Sequence, residues 1–576
     1  MKRFLPFHKS TVPLNESKNN SRMKTLRRIS QVVFLFLFIF FLVNTEYHGT
    51  FDKPEEQSIN YPVKFFMELD PLVTLSTALS THTLVNDIGW ALTIIIGTIL
   101  VGRFFCGWIC PLGTINHFFS SYKPERKGKS RVTSNRYKKW MTIKYYILIT
   151  LLVLALFTSL QTGLLDPIPF LYRSLVTSIV PALEMGLRST LNALYDTNIY
   201  FFQAIANSGY SFFKLSFLSN ERLYFHFSFI IGFIFILVLI LNRFITRFWC
   251  RAICPLGAFL GLLSRFSIYG LKKDNAKCND CNKCLLHCQG ACEPQGGVPW
   301  RQAECHLCYN CETSCTENAI HFKFFPQLES IIVKPDLKRR RILESALIGA
   351  VLLPVIRATS GGTMQKNYNP GVIRPPSSLD EPEFLTRCIR CGECMKVCPT
   401  NAIQPTLFEA GVEGIWTPTL IMRIGYCEYT CILCGQVCPT GAIKKFTEDE
   451  KLGRPAKTSS TDSSGQQNTA KPIKIGTAYF DRNRCFPWVL DTPCIVCEEF
   501  CPTSPKAIWV REEEVTRRDG TKLLLKRPYV DEDLCIGCGI CEYICPVNDK
   551  PAIYVTNIGE TRSRTNRSRL EGNTEK

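Results

Sequence analysis

Cysteine spacing constrains this chain more than any other feature. Of its 29 cysteines, 24 fall into six groups of four. Two groups share the spacing C-x2-C-x2-C-x3-C: Cys278, Cys281, Cys284, Cys288 and Cys305, Cys308, Cys311, Cys315. Four more occupy the C-terminal part. Cys388, Cys391, Cys394, Cys398 and Cys535, Cys538, Cys541, Cys545 are regular. Cys427, Cys431, Cys434, Cys438 widen the first gap to x3, and Cys485, Cys494, Cys497, Cys501 widen it to x8. In a short secreted chain such a density would indicate disulfides. This spacing is instead that of [4Fe-4S] ligands, in which three thiolates on one tight loop hold three corners of a cube and the fourth reaches across to a sister cluster. Six quartets predict about six clusters. Zinc is the alternative metal for paired C-x2-C motifs, but a three-cysteine run with a fourth at x3 disfavours it.

The four C-terminal quartets each end in Cys-Pro, whereas Cys288 precedes Gln289 and Cys315 precedes Thr316. Cys292 is a spare thiol beside the first quartet, either replacing Cys288 as a ligand or remaining unliganded. An Ala-Ile pair follows shortly after five of the quartets: Ala319-Ile320, Ala402-Ile403, Ala442-Ile443, Ala507-Ile508 and Ala552-Ile553. One small unit is thus repeated, its apolar pair placed to pack over the cube. Spacing does not fix which C-terminal quartets exchange cysteines; the irregular pair lying inside the regular pair favours a nested order.

The first 260 or so residues have a different character. Apolar runs occupy 29–43, 88–105, 140–160 and 224–241. Residues 1–30 carry eight Lys or Arg and one acid, 44–87 carry seven acids and two lysines, and 123–144 carry nine basic residues and one acid. This alternation is the positive-inside pattern of four membrane helices with a cytoplasmic N-terminus. The first run is read as an uncleaved helix rather than a secretory signal, because no small-residue cleavage site follows it. A net charge of +19 then reflects membrane orientation and does not call for nucleic acid. The segments 170–180 and 200–217 are expected to lie along the interface.

An eleven-residue stretch occurs twice: R-F-F-C-G-W-I-C-P-L-G at 103–113 and R-F-W-C-R-A-I-C-P-L-G at 247–257. Cys106 with Cys110 and Cys250 with Cys254 are four apart, on one face if helical, and suit a redox couple or a ligand pair. The competing reading is buried structural thiols. Loop charge places both pairs on the cytoplasmic side, where a membrane helix should meet water. Farther on, 338–341 reads K-R-R-R before an apolar run at 342–356, and Arg339-Arg340-x-Ile342-Leu343 fits a twin-arginine signal. The segment is expected to cross the membrane; an amphipathic helix on the cluster module is the alternative.

The expected fold is an α-helical membrane domain of four to five transmembrane helices plus α+β ferredoxin-like multi-cluster domains. Its layout is a basic N-terminus (1–28), the four-helix domain (29–265), a two-cluster module (266–335), the twin-arginine-like segment (338–360) and a four-cluster domain (361–555). The last contains a disordered insertion at 451–474 and precedes a disordered tail (556–576).

The tandem C-x3-C-P motifs followed by two quartets resemble the NapH-type membrane component of quinol dehydrogenases that serve periplasmic nitrate reductase. The arginine-led segment with four quartets resembles the NapG-type ferredoxin subunit, here fused to it. The resemblance implies oxidation of menaquinol or ubiquinol from the membrane pool and delivery of electrons to a periplasmic reductase or cytochrome. It also implies a place in the bacterial inner membrane with the last cluster domain periplasmic. It carries over the ligand and motif cysteines and no quinol contact. From the sequence itself, His48, His82 and His226 fall near the outer face as candidate quinol contacts, and Glu46, Glu68 and Asp70 as proton acceptors. Related polyferredoxins that donate electrons for copper-site assembly give a second reading, and a cluster scaffold without turnover a third. No C-x-x-C-H, no G-x-G-x-x-G after a strand and no P-loop occur, so covalent haem c and a nucleotide site are not expected.

Overall fold

Apolar runs become helices here, and their breaks fall where glycine, proline or a left-handed residue interrupts the backbone. The computed structural model describes residues 14–47, 51, 58–59, 61–83, 88–122, 127–197, 199–214, 223–326, 337–359, 369–454, 471–516, 520–563 and 566. Helix Leu14–Val43 opens the chain. The second apolar run breaks at Gly102, whose φ of +106° ends helix Ile88–Val101 before the short turn Phe104–Trp108 begins. Helix Ile143–Leu156 follows, and Ser228–Phe244 starts only after Phe227 takes a left-handed conformation. Because of these breaks, two helical stretches among the described residues, Arg22–Val43 and Gly128–Leu156, are long and apolar enough to cross a bilayer, against the four to five expected. Ile88–Val101 and Ser228–Phe244 are apolar but shorter.

Four shorter helices start with proline at their first turn and point into the bundle. Pro71–Thr81 and Pro167–Ser174 are capped by Asp70 and Asp166, whose Oδ1 atoms accept from Leu72 N (2.9 Å) and Ile168 N (3.3 Å). Pro111–Ser121 and Pro255–Ser264 are capped by Cys110 and Cys254, whose sulfurs accept from Gly113 N (3.4 Å) and Gly257 N (3.2 Å). Proline suits the first helical position because its missing N–H has no intrahelical partner there. Residues 167–174, expected partly at an interface, are instead core. Phe170 is buried and stacks on Trp249 at 4.6 Å, and a π-helical turn, Leu175–Ile179, carries the chain into Val180–Tyr195. Outside the bundle, Leu343, Leu347, Val351 and Val355 form an exposed i, i+4 stripe, and Phe229, Phe233, Val32 and Phe36 extend the apolar surface.

The two cluster-bearing parts cap opposite ends of the bundle. The first module is closed by β1 (Tyr269–Lys273) paired antiparallel with β2 (Ile320–Phe324). It is fastened to the bundle by buried arginines. Arg103 donates to the Ala303 carbonyl (2.8 Å), and Arg251 donates to those of Gln289 (2.8 Å) and Cys288 (2.9 Å). Trp108 donates to Leu307 O, and Glu304 bonds Lys144 and Tyr145. Gly107 lies so close to the His306 carbonyl that a methyl there would overlap it.

At the other end sits the four-cluster domain. Three antiparallel pairs organise it: β3 (Ile403–Pro405) with β4 (Pro418–Leu420), β5 (Thr477–Phe480) with β8 (Ile553–Thr556), and β6 (Ile508–Thr516) with β7 (Lys522–Val530). Arg173 donates to the Arg390 carbonyl (2.8 Å), and Arg390 in return donates to Leu160 O. Gly163 meets the Ile389 carbonyl as closely as Gly107 meets His306. Helix Arg339–Thr359 joins the two ends. It runs beside Ile143–Leu156 in the same direction, with Thr150 on Ser345 O (3.1 Å) and Arg357 on Phe157 O (2.7 Å).

Two segments expected to be disordered are packed where described. Lys451, on helix Glu448–Leu452, is buried and donates to Glu428 O (2.6 Å) and Cys431 O (2.8 Å); 455–470 lie outside the described residues. The start of the tail folds back, and Arg562 bonds Glu381 (2.8 Å), which also pairs with Arg374. Burial alone would raise the Glu381 carboxyl. The two guanidiniums outweigh it and lower the group from its ordinary 4.5 to about 2.

Two outcomes follow from these contacts. Glu381→Gln leaves two buried arginines short of a counter-charge and should lower the stability of the four-cluster domain by about 3–5 kcal/mol at neutral pH. A depressed carboxylate stabilises fully above its unfolded value and stops doing so as pH falls through its folded one. The gap between wild type and variant in denaturant midpoint should therefore be full above pH 4.5 and close toward pH 2; a gap that stays constant into acid would contradict the pairing. Gly163→Ala should overpack the docking contact by about 1–3 kcal/mol, opening it by about fivefold to somewhat over a hundredfold. Hydrogen exchange in 388–394 should rise with iron content unchanged, and unaltered exchange would mean that the loop is not seated there.

Candidate iron–sulfur centres

Each cube needs four thiols round one void, and the four-cluster domain supplies such voids. One cavity is lined by Cys388, Cys391 and Cys394 together with Cys438, under Met395, Ala442 and Ile443. A second is lined by Cys535, Cys538 and Cys541 with Cys501, under Ala507, Ile508 and Val555. In both, three thiols come from one run and the fourth from the neighbouring run. The complementary sets agree: Cys398 acts on Cys431 and Cys434, and Cys545 on Cys485 and Cys497. Exchange is therefore between adjacent quartets, 388–398 with 427–438 and 485–501 with 535–545. The nested order expected from regularity of spacing is corrected. Adjacent runs are held together by short local pairings such as β3 with β4, and that is a tertiary fact with no spacing signature.

The residues fit the group. The donor sets are all thiolate, the walls are apolar, and the Ala-Ile pairs roof the voids as the repeat suggested. Among the described residues no three His, Cys, Asp or Glu side chains stand close enough for a single metal ion, whereas terminal sulfurs round a cube stand well apart. Lys451 places its ammonium 3.5 Å from Cys427 Sγ, a cation beside an anionic ligand set. Its assignment to a disordered insertion hid it from sequence reading.

In the first module Cys284, Cys288, Cys292, Cys305, Cys308 and Cys311 are buried, Cys278 and Cys315 half-buried and Cys281 exposed. Cys315 acts on Cys284, the same exchange between adjacent runs.

The C-x3-C-P thiols do not meet water. Cys106, Cys110, Cys250 and Cys254 are each at most 7 % exposed, deep in the bundle under the first module. The expected contact with water is corrected: the first module covers the motifs, as the packing of Gly107 on the His306 carbonyl shows, and Pro111 and Pro255 start further helices there. Nor do the two cysteines of a motif share one helix, since the second caps the next. Arg103 approaches Cys106 Sγ (3.8 Å), Asn116 approaches Cys250 Sγ (3.7 Å), and Arg247 donates to Cys106 O (3.1 Å). In the same core Asp70 and Asp166, both fully buried, bring their carboxyls within hydrogen-bonding reach of each other. Neither Oδ2 has an N–H or O–H donor from another residue, so the pair is satisfied when it holds a proton between its oxygens. Asp166-Pro167 repeats Asp70-Pro71, but at 81 and 33 residues before the two copies of the eleven-residue stretch, so the pair is out of register with that repeat.

Of the other candidates, Glu46 pairs with Lys396 (2.5 Å) and Glu68 with Lys64 (3.3 Å), at the end where the four-cluster domain docks. Between Cys391 and Cys394, Glu393 is buried without a hydrogen-bond partner for either oxygen, and desolvation pushes it up to about 8, opposed by Lys64 and reinforced by Glu68. Sequence reading missed it because a glutamate between two ligands looks solvated. His226 lies at the docking interface, its backbone N–H on Gln404 (3.0 Å) and its ring edge-on to Tyr224. His82 is an exposed helix cap, and His48 lies outside the described residues.

Known proteins match this layout. A family model described as a 4Fe-4S binding domain matches twice, over 88–129 and 225–272, the segments holding the two C-x3-C-P motifs. A 4Fe-4S dicluster domain matches 387–442, the adjacent pair seen in the cavity, and a further 4Fe-4S binding domain matches 528–548. The ferredoxin-type protein NapG of Escherichia coli is 31 % identical over 248 residues, 42 % of this chain and 96 % of that protein. NapG of Haemophilus influenzae is 30 % identical over 225 residues, 38 % of this chain and 71 % of that protein. The methylamine utilization ferredoxin-type protein MauM of Methylorubrum extorquens is 31 % identical over 175 residues, 30 % of this chain and 67 % of that protein. No solved structure matches. With nearly the whole of a NapG protein covered at that identity, the chain belongs to the NapG family of ferredoxin-type 4Fe-4S electron-transfer proteins.

Proposed function

We propose that the chain is an integral-membrane quinol dehydrogenase component that passes electrons through about six [4Fe-4S] clusters to a periplasmic reductase or cytochrome. The observation that carries this reading is the seating of two cluster-bearing loops, 305–311 and 388–394, on opposite ends of one helix bundle through glycine contacts. The exposed apolar stripes on several helices are the surface that lipid would cover. The parallel course of Arg339–Thr359 beside Ile143–Leu156 supports a further crossing that carries the last domain to the outer face.

Oxidation of a quinol releases two electrons and two protons. A [4Fe-4S] cluster supplies one-electron acceptance and release at each ligand set. The chain's own groups have two tasks. Buried arginines hold the ligand loops against the bundle, which keeps the centres at fixed separations. Carboxyls gather at the end where the four-cluster domain docks: Glu46, Glu68 and Glu393 stand there beside Lys64 and Lys396, as candidate sites for the protons released. The buried thiols and the Asp70–Asp166 pair lie in the bundle between the two cluster regions, where a relay between them would have to pass.

Iron and acid-labile sulfide of the anaerobically purified full chain should correspond to about six cubes; two or three would sink the assignment. A menaquinol analogue added anaerobically should bleach the cluster absorbance of the same preparation. Absence of quinol-dependent bleaching, with the clusters present, would remove the dehydrogenase reading and leave that of an electron donor for metal-site maturation.

A further inference from the structure

Among the described residues of the four-cluster domain, Lys451 is the one cation that hydrogen-bonds a ligand sulfur. Its ammonium is buried and offers three N–H groups to three acceptors: Cys427 Sγ at 3.5 Å, Glu428 O at 2.6 Å and Cys431 O at 2.8 Å. Both carbonyls belong to the loop that carries Cys427, Cys431 and Cys434, which lies within the 4Fe-4S dicluster match over 387–442. No described carboxylate pairs with the ammonium, so the ligand set itself is its counter-charge. Other cations of the domain stand near ligands without touching their sulfurs. Arg390, two residues after Cys388, spends its guanidinium on Leu160 O and Glu413 O, and Lys474 donates to Glu532 O.

The local fold fixes the lysine in place. Helix Glu448–Leu452 is capped by Thr447, whose Oγ1 accepts from Glu450 N (3.2 Å) while the Glu450 carboxylate accepts from Thr447 N (2.8 Å). Gly453 closes the other end at a φ of +67°, and Ile473 N donates to Lys451 O (3.0 Å). The short helix is therefore held at both ends, and with it the origin of the side chain.

Cys427 has a second contact. Its backbone N–H donates to the carbonyl of Cys538 (2.8 Å), a ligand that lines the second cavity. Around that bond the two cluster pairs are fastened together. Arg423 donates to Cys545 O (3.1 Å), the rings of Tyr426 and Tyr543 meet at 5.3 Å, and a methyl on Gly539 would overlap Met422. The first cavity lies against the bundle, with Ile389 at Gly163 and Arg390 at Leu160. The line of contacts from the bundle to the second pair thus runs through the loop of Cys427.

Reduction adds one electron, and so one negative charge, to a cluster. A cation on a ligand sulfur stabilises the reduced form more than the oxidised one. We propose that Lys451 raises the potential of the cluster held by Cys427, Cys431 and Cys434, so that electrons collect there before crossing to the second pair beside Cys538. The assignment rests on the cluster reading above. Each passage takes one electron from the neighbouring centre at Cys388 and hands one on to the centre at Cys538, which returns the Cys427 centre to its oxidised state.

The test uses the anaerobically purified full chain carrying Lys451→Met or Lys451→Arg, read by iron and acid-labile sulfide and by redox titration followed by EPR. The wild-type iron count checks the cluster reading separately. With that count at about six cubes, Lys451→Met should keep its iron and move one cluster downward. The reduced-to-oxidised ratio of that cluster at a fixed potential should fall about tenfold or more, a shift of about 59 mV for each factor of ten. The other clusters should stay in place, and Lys451→Arg, which keeps the charge, should titrate near the wild type. Full iron with every midpoint unchanged in Lys451→Met overturns the proposal, as does an equal shift in Lys451→Arg. If Lys451→Met loses iron, Lys451→Gln, which keeps donors for the Glu428 and Cys431 carbonyls without the charge, reads the same two outcomes. Loss of a cluster in both also overturns it, since the side chain would then hold the ligand loop rather than set a potential.

Discussion

The structure depends on buried guanidiniums donating to main-chain carbonyls of another element. Arg103, Arg173, Arg247, Arg251 and Arg390 are each at most 1 % exposed, and each reaches a carbonyl on a segment distant in sequence or on the facing motif. An unpaired buried charge is costly, so these contacts are strongly geometric: a guanidinium offers five donors in a fixed plane and is satisfied only when the acceptors stand where that plane points. Arg103 and Arg251 fix the first module to one end of the bundle, and the reciprocal bonds of Arg173 and Arg390 fix the four-cluster domain to the other. The same positive groups lie near thiolate ligand sets, whose negative charge offsets part of the desolvation.

Close approach completes what the arginines begin. Gly107 and Gly163 leave no room for a side chain because a carbonyl of a ligand loop occupies the space. Glycine at these two positions sets the distance between each cluster loop and the helices. A larger residue would preserve the ligands and lose the geometry between them. In a relay, separation of centres governs transfer, so such contacts matter to function as much as the ligands do.

Between the two ends the internal repeat produces a paired core. Asp-Pro and Cys-Pro each start a helix twice, and all four starts face inward. Helix N-termini leave N–H groups unsatisfied, which the carboxyl and thiol caps satisfy. The result is a polar interior in a bundle with an apolar exterior, lying between two sets of iron–sulfur ligands. Placing titratable groups there costs desolvation that ordinary packing would avoid, and this argues for a role in moving charge.

Much of this was legible in the chain. The 24 quartet cysteines, the repeated unit with its Ala-Ile roof and the paired C-x3-C-P motifs are local patterns, and three thiols on one short loop are what a cube asks for even where the first gap widens. Run lengths and loop charges outlined the helices but not their breaks at Gly102 and Phe227, which rest on single-residue backbone conformations. The depth of the motif thiols, the exchange between adjacent quartets and the Asp70–Asp166 contact were not legible. Each is a distance between segments remote in sequence, set by which arginine finds which carbonyl and which glycine admits which loop. The sequence by itself determined the cofactor chemistry and the grouping of its cysteines into quartets. Only the tertiary structure decided which thiols share a void and where the voids stand, because those depend on packing between elements that no local spacing encodes.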